Sequence, residues 1–378
     1  MAEIAVIIPA YNHAHYLRQS IQSVLDQTFT DWELAVVDDG STDDTPALMA
    51  SLLDPRLRWV RQPNAGLSAA RNTGLRETCA PLVTFLDADD WFLPNKLELL
   101  HGYLRDHGDV GLVAGGMRLA DPDGRMVADV AAASPDLALP AMLYNNPIPV
   151  GGVLLRRQWL DRVGVFDEGM RACEDWDLWL RMLLAGCRFG WVERPVLAYR
   201  THPNQMSRES DRMRIAALTT LDKFFKQPNV PESLRQIRDK VYSVTFINAA
   251  GRAYRAGEAA AARFDLEEAV RLYPAWAAEE REQLVDMLLS WADTLDTDGM
   301  VAYLTHVYDN LPACLAALRS RRHLEIGKVY LSCAFLALAN GQREQARTHA
   351  MRGVLQDPRW LANRGVLSIL LTSDRRTP

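Results

Sequence analysis

The sequence predicts an α/β domain with a mostly parallel open sheet, followed by a domain built of α-helices alone. Three observations support this fold class. Short apolar runs rich in β-branched residues alternate with amphipathic helical patterns through the first half of the chain. Two of these runs end in paired aspartates, at the strand ends where open α/β sheets bind ligands. After residue 211 strand-like runs become rare, so we predict an α/β domain over residues 1–211 and a helical domain over residues 212–378.

The first elements form a βαβ unit. Residues 4–8 are β-branched or small and are followed by Pro9, which predicts a buried parallel strand that ends in a loop. Apolar residues at helical spacing follow between residues 16 and 27. Residues 32–37 form a second strand that runs into two aspartates. This order predicts two parallel strands joined by a right-handed crossover.

The same alternation continues as far as residue 155. The predicted elements are a helix over 46–53, a strand over 57–60, a helix opened by the small-residue segment 64–74, and strands over 82–86, 111–117 and 153–155.

Three carboxylates directly follow the strand over residues 82–86. Asp87 and Asp89 are two positions apart, so in an extended chain their side chains project to the same side. Such a pair suits a hard divalent cation that carries phosphates. The alternative is that Asp89 or Asp90 caps a helix starting near Leu93, and capping is the role that we expect for Asp90.

A phosphate-binding loop rich in glycine is missing from the sequence. Neither Gly-x-x-x-x-Gly-Lys-Ser/Thr nor Gly-x-Gly-x-x-Gly follows a predicted strand. If the sheet is parallel, Tyr11, Asn12 and the two aspartate pairs lie at one edge, where a nucleotide can bind. Phosphates at that edge would have to be neutralised by a metal, which favours the metal interpretation of Asp87 and Asp89.

Five motifs follow one another in the first 90 residues: Val6-Ile-Ile-Pro-Ala-Tyr-Asn12, Gln27-Thr-Phe29, Val37-Asp-Asp-Gly-Ser-Thr-Asp43, Gly66-Leu-Ser-Ala-Ala-Arg-Asn72 and Leu86-Asp-Ala-Asp-Asp90. This ordered set resembles the family 2 glycosyltransferases, and the resemblance extends over residues 4–207. It implies a GT-A fold and transfer of a sugar, with inversion, from a nucleotide-diphosphate donor. Most relatives use UDP, so a UDP-sugar is the expected donor.

The resemblance also implies roles for individual residues. Asp39 would bond the base, Arg71 would lie near the base or diphosphate, and Asp87 would contact the ribose. A solvated position on a helix is the alternative for Arg71, and Asp38 is expected to be a structural cap. Asp89 would bind Mn²⁺ or Mg²⁺. The remaining residues expected at the nucleotide-sugar site are Pro9, Tyr11, Asn12 and Ala88.

Glu174 and Asp175 open a predicted helix whose apolar face includes Leu178 and Trp179. Acidic residues in a first helical turn suit the helix dipole, so capping is one explanation. By resemblance, the pair occupies the position of the family's Glu-Asp motif. Asp175 would then be the base that deprotonates the acceptor hydroxyl, and Glu174 would position the acceptor or the base.

Two further segments have open interpretations. His202 is a candidate ligand of the metal or contact of the diphosphate, against the alternative of a plain surface histidine. His13 and His15 are weaker candidates for the same role. Residues 149–153 either border the acceptor pocket or form a loop into an edge strand.

The helical half carries a repeated pattern. Gly257 and Gly341 are 84 residues apart, as are three further pairs of identical residues: Ala262 with Ala346, Pro274 with Pro358, and Trp276 with Trp360. The spacing within each copy resembles the second half of a tetratricopeptide unit, although 84 is not a multiple of that repeat's length. This domain would cover the catalytic domain or bind an acceptor, a protein or a membrane surface.

Composition excludes several classes of protein. The formal net charge of −6 argues against broad nucleic-acid binding. The five cysteines are odd in number and form no Cys-x-x-Cys pair, so we expect neither a disulfide framework nor a zinc site. No signal peptide is visible, and no apolar run approaches the roughly 20 residues that span a bilayer. We expect a cytoplasmic protein and leave open an attachment to the inner face of the membrane.

The sequence as a whole therefore predicts a metal-dependent inverting glycosyltransferase. Its acceptor would be a hydroxyl of a glycan, a glycolipid or a glycoprotein. A nucleotidyltransferase and a non-catalytic scaffold that binds sugar nucleotides are the rival hypotheses.

Overall fold

The computed structural model of the chain describes residues 1–130, 134–202, 205–206, 209–292 and 295–371. The chain divides into two compact units, Met1–Arg238 and Asp239–Pro378. The boundary between these units lies after residue 238, whereas the sequence predicts that the catalytic domain ends at residue 211. The end of the catalytic domain stays a prediction.

Within the described residues, the first unit contains one nine-stranded sheet flanked by helices. The strands are β1 Ile4–Ala10, β2 Trp32–Asp38, β3 Leu57–Arg61, β4 Leu82–Phe85, β5 Trp91–Phe92, β6 Val110–Ala120, β7 Met126–Val130, β8 Val153–Arg156 and β9 Arg188–Arg200. The helices are α1 Ala14–Leu25, α2 Thr45–Ala50, α3 Leu67–Arg76, α4 Lys96–Asp106, α5 Ala141–Tyr144, α6 Gln158–Val163, α7 Glu174–Leu184, α8 Ser210–Phe225 and α9 Glu232–Gln236.

The sheet is parallel on one side and mixed on the other. Its strand order is β3-β2-β1-β4-β8-β6-β9-β5, and β7 pairs with β6. Strands β1 to β4 run parallel, whereas β8 is antiparallel to both β4 and β6. The predicted α/β class with an open sheet is confirmed. The carboxyl ends of β1, β2 and β4 meet at one edge, as expected for parallel neighbours.

Burial explains why the central strands form. Every residue of β1 is buried, because helices cover both faces of a parallel sheet. Helix α3 packs closely on β1, since a Cβ added at Gly74 would overlap the Ile7 side chain. This close approach fixes the position of α3, which carries Arg71 and Asn72.

Lys96, at the start of α4, is a fully buried amine. Its Nζ donates to Thr84 Oγ1 at 2.6 Å and lies 3.4 Å from the centre of the Phe92 ring. Among the residues that the structure describes, no carboxylate forms an ion pair with it. Burial therefore lowers the pKa of Lys96 well below its usual value.

We expect Lys96→Met to increase the free energy of unfolding at pH 7 by about 1–3 kcal/mol, the cost of an incompletely bonded buried polar group. Because the folded-state pKa is lowered, the unfolded chain binds more protons between the two pKa values. Wild-type stability should therefore rise with pH toward the ordinary lysine pKa, and the gain from the substitution should shrink. Urea unfolding at pH 7 and pH 9.5 measures both effects. A variant less stable than wild type at pH 7 would contradict the prediction.

The second unit is helical throughout its described residues. Its helices are α10 Arg238–Arg255, α11 Ala259–Leu272, α12 Arg281–Leu289, α13 Thr297–Asp309, α14 Arg322–Ala339, α15 Arg343–Gln356 and α16 Arg364–Leu371. Short 3₁₀ segments are Pro274–Ala277, Ser290–Ala292, Ala313–Arg321 and Pro358–Ala362.

The repeated sequence pattern corresponds to two helical hairpins, α10–α11 and α14–α15. Gly257 and Gly341 occupy the two turns with φ of 81° and 77°, a conformation that favours glycine. Ala262 and Ala346 are fully buried in the second helix of each pair. The 84-residue spacing thus separates two equivalent hairpins with other helices between them. No helix among the described residues is both long enough and apolar enough to cross a bilayer.

Candidate active site

The loops after β1 and β2 are tied together by hydrogen bonds. Asn12 adopts a φ of 55°, and its Oδ1 accepts from the Thr42 N–H at 2.8 Å. The Asn12 N–H donates to Ser41 Oγ at 3.0 Å, and the Ala14 N–H donates to Asp43 Oδ2 at 2.9 Å. Asn12 therefore fixes the loop after β1 against the loop after β2.

Asp38 and Asp39 have different structural roles at the end of β2. Asp38 Oδ1 accepts from the Ser41 N–H at 2.8 Å, so the predicted structural cap is confirmed. The buried Asp39 carboxylate accepts from the N–H groups of Ala65 at 2.9 Å and Gly66 at 2.8 Å. It also accepts from Gln62 Nε2 at 2.7 Å. Asp39 thus positions the segment that leads into α3.

The other residues predicted at the donor pocket lie at this edge of the sheet. Pro9 is paired with Val37 at the end of β1, and the Tyr11 side chain is half exposed beyond it. Ala88 is buried, and its carbonyl accepts from Ser20 Oγ at 2.7 Å. Their contacts with a nucleotide stay predictions.

Arg71 connects the end of β4 to the start of α7. Its guanidinium is 1% exposed, so it is not the solvated helix residue that the sequence left as an alternative. Nη2 donates to Asp87 Oδ1 at 2.6 Å, and Nη1 donates to Glu174 Oε1. Burial alone would lower the pKa of Arg71, but the charges of Asp87 and Glu174 raise it above its usual value. For Asp87, an acid, burial has the opposite effect and raises the pKa, while the positive charge of Arg71 opposes that rise.

The neighbouring Asn72 fastens the segment that precedes α7 to α3. Its Nδ2 donates to the Phe166 carbonyl and to Glu168 Oε1, each at 2.9 Å. Its Oδ1 accepts from the Phe166 N–H at 3.1 Å. Arg71 and Asn72 together hold both ends of the segment that leads to Glu174.

Asp175 differs from Glu174 in its partners. Glu174 is buried and paired with Arg71, whereas Asp175 is partly exposed. Asp175 Oδ1 accepts from the Trp176 N–H at 2.6 Å, and Oδ2 accepts a long 3.3 Å bond from Asn146 Nδ2. Burial and the charge of Glu174 raise the pKa of Asp175 to about 7, while Arg71 opposes the rise. A carboxylate with this pKa is poised to accept a proton near neutral pH.

Asp89 lies beside two imidazoles. His202 Nε2 is 3.1 Å from Asp89 Oδ2, and His202 is buried, not the plain surface histidine that the sequence left as an alternative. His13 also joins the group: one donor atom from each of His13, Asp89 and His202 lies within 4.8 Å of the others. One carboxylate oxygen and two imidazole nitrogens can hold a divalent transition metal, a class that includes Mn²⁺, and suit Mg²⁺ less well.

Asp90 does not cap a helix, and the prediction that it does is wrong. Helix α4 begins only at Lys96, and Asp90 is buried with its Oδ1 accepting from the Arg200 N–H at 2.9 Å. Burial raises the pKa of Asp90 well above its usual value, and the charges of Asp89 and Asp87 add to this. Asp90 therefore joins the loop after β4 to the end of β9.

Arg200 holds several segments of the site together, although no motif in the sequence singles it out. Its buried guanidinium donates to the Asp89 carbonyl at 2.8 Å, the Pro122 carbonyl at 2.8 Å and Gln19 Oε1 at 2.6 Å. It also lies over the rings of Tyr16 and Trp91. An arginine at the end of a strand is not a distinctive pattern, because its partners are more than 70 residues away in sequence.

Comparisons with known proteins identify the family of this chain. Residues 5–160 match the model of a family described as glycosyl transferase family 2. An uncharacterised glycosyltransferase of Nostoc sp. is 30% identical over 225 residues, which are 55% of this chain and 68% of the relative. Another, from Rickettsia bellii, is 32% identical over 191 residues, which are 49% of this chain. This chain covers only 27% of the Rickettsia protein's own length.

Two solved structures have a similar fold. TarS residues 1–349 from S. aureus, in complex with UDP-GlcNAc, has a TM-score of 0.52 at 18% identity, covering 90% of this chain and 93% of that one. The mannosyltransferase PcManGT from Pyrobaculum calidifontis, in complex with GDP-Man and Mn²⁺, has a TM-score of 0.53 at 17% identity. That match covers 84% of this chain and 86% of that one. At these identities the likeness shows the fold alone, and it confirms the predicted GT-A class.

Proposed function

This chain belongs to glycosyl transferase family 2, and from this premise we propose that it moves a sugar, with inversion, from a nucleoside-diphosphate donor to an acceptor hydroxyl. The observation that carries the proposal is the Arg71 bridge between Asp87 and Glu174. It joins the strand end expected to bind the donor to the helix start that presents Asp175. An active site for sugar transfer needs these two halves side by side.

The donor half is proposed to lie at the carboxyl ends of β1, β2 and β4. Pro9, Tyr11 and Asn12 would line the base and ribose pocket, and Asp39 would bond the base. Asp87 and Ala88 would face the ribose and diphosphate. The UDP-GlcNAc bound to TarS and the GDP-Man bound to PcManGT support a donor of this class, and we propose UDP as the nucleotide.

The acceptor half is proposed to centre on Asp175. Its carboxylate would take the proton of the acceptor hydroxyl as that oxygen attacks the anomeric carbon. The bond from that carbon to the diphosphate oxygen breaks, and the nucleoside diphosphate leaves with the electron pair. Glu174, held by Arg71, would keep α7 and therefore Asp175 in position. The proposed acceptor is a hydroxyl of a glycan, a glycolipid or a glycoprotein.

A divalent cation, Mn²⁺ or Mg²⁺, is proposed to bind at Asp89 and His202. When bound, it would neutralise the charge that develops on the departing diphosphate. The Mn²⁺ in the PcManGT complex supports this assignment.

Donor hydrolysis and transfer test the proposal directly. Purified protein is incubated with UDP-, GDP- and dTDP-sugars, with Mn²⁺ or with EDTA, and release of the nucleoside diphosphate is measured with and without acceptor mixtures. We expect UDP release from one UDP-sugar, dependent on Mn²⁺ and increased by acceptor. In a parallel incubation with nucleoside triphosphates, release of pyrophosphate would point to a nucleotidyltransferase instead. Nucleotide binding with no turnover across all donors and acceptors would contradict the proposal.

A further inference from the structure

We propose that His13 is a third protein ligand of the cation, and that it allows the site to hold Mn²⁺ before any nucleotide binds. This inference deepens the proposed function and rests on its metal site. It concerns a residue outside the Asp87–Asp90 loop, contributed by the loop between β1 and α1.

His13 is held in place from both sides along the backbone. Asn12, immediately before it, is bonded to Ser41 and Thr42, and the Ala14 N–H immediately after it is bonded to Asp43. Its own carbonyl accepts from the N–H groups of the first turn of α1. The imidazole is therefore presented by a segment whose conformation is fixed without a ligand.

The donor atoms have spacings that suit one ion. Two ligands about 2.1 Å from an octahedral ion are roughly 3 Å apart when adjacent and roughly 4.2 Å apart when opposite. The 3.1 Å between His202 Nε2 and Asp89 Oδ2 matches an adjacent pair. The donor atom of His13 lies within 4.8 Å of both of the others, an upper bound slightly longer than the span of two opposite ligands.

A third protein ligand would change the order in which the metal and the nucleotide bind. A cation held by one or two carboxylates arrives largely with the substrate phosphates, which complete its coordination. Three converging side chains offer a partly formed site to the free ion. Two imidazole nitrogens also favour a transition metal such as Mn²⁺ over Mg²⁺, which prefers oxygen ligands.

The test titrates Mn²⁺ alone into the nucleotide-free full chain and follows the signal of free Mn²⁺ by electron paramagnetic resonance. We expect His13→Ala and His13→Gln to weaken Mn²⁺ binding by at least about 10- to 100-fold, the range seen when even an outer-shell partner of a metal is lost. His107→Ala is the matched control, since His107 is an exposed histidine at the end of α4 whose ring stacks on Tyr103. It should bind Mn²⁺ as wild type does. Adding UDP should reduce the difference in Mn²⁺ affinity between the wild type and the His13 variants, because diphosphate oxygens then supply ligands.

Three results would overturn the inference: no Mn²⁺ binding by the nucleotide-free wild type, unchanged binding in both His13 variants, or an equal loss in His107→Ala. Circular dichroism of the metal-free variants separates lost ligation from lost folding. A protein that transfers sugar while its His13 variants bind Mn²⁺ normally refutes this inference alone. A protein that binds Mn²⁺ through His13 and transfers no sugar refutes the proposed function alone.

Discussion

Asp175→Asn is expected to lower kcat for sugar transfer by about 10²- to 10⁴-fold, the usual contribution of a general base. The amide keeps the shape of the carboxylate and can still bond the Trp176 N–H, but it cannot take up the acceptor proton. Binding of UDP, measured by calorimetry, should be unchanged, since Asp175 is proposed to act on the acceptor and not on the nucleotide. Transfer at the wild-type rate would remove Asp175 from the catalytic role.

The pH profile provides the control for this substitution. Burial and Glu174 raise the pKa of Asp175 to about 7, and a base works only when deprotonated. Wild-type kcat/KM should therefore fall as pH decreases through about 7 and level off above it. The residual activity of Asp175→Asn should lack this step. Asn146→Ala, which removes the long hydrogen bond to Asp175 Oδ2 and the bond that Asn146 Oδ1 accepts from the Ile148 N–H, should retain this step.

Arg71→Met is expected to destabilise the first unit by about 3–5 kcal/mol, because removing one partner of a buried ion pair leaves an uncompensated charge. Glu174 is almost completely buried and would lose its cationic partner. Urea unfolding measures the loss. Loss of the Arg71 charge should also move the step in the pH profile to higher pH, since that charge holds the pKa of Asp175 down.

Two further variants test whether the effect of Arg71→Met comes from the ion pair. Arg71→Met combined with Glu174→Gln should recover part of the lost stability, because the buried unpaired charge of Glu174 is then gone and only the more exposed Asp87 lacks its partner. Arg58→Met removes an arginine from an exposed ion pair with Glu77 and should change stability by no more than about 1 kcal/mol. Equal losses in Arg71→Met and Arg58→Met would contradict the role assigned to the buried bridge.

The parallel part of the sheet could be predicted from sequence because its strands are short, continuous apolar runs. Strands β1, β2 and β4 are almost wholly buried, so nearly every residue in them is apolar. β9 was not predicted, since its 13 residues include charged positions and a proline and its pairing with β6 is irregular. β5, with two residues, is too short to give a pattern.

Residue type and position were enough to select the individual site residues. The contacts that these residues make with one another could not be predicted from the sequence. Asp87, Asp89, Glu174 and Asp175 were recognisable as carboxylates at the ends of elements. That Arg71 joins Glu174 across 103 positions depends on the fold. The same holds for His13, which meets Asp89 and His202 because the fold brings together three segments that lie far apart in the sequence.

The bonds made by Asn72 and Arg71 limit how the acceptor side can evolve or be engineered. The segment from Phe166 to Glu174 is anchored at both ends to a single turn of α3, in a part of the chain about a hundred positions earlier. Exchanging that segment between relatives while leaving α3 behind would keep the bonds of Asn72 to the Phe166 backbone, but it would keep the Arg71 bond only if the new segment has a carboxylate at position 174. A chimera that alters the proposed acceptor side should therefore be built with the matching residue at position 71.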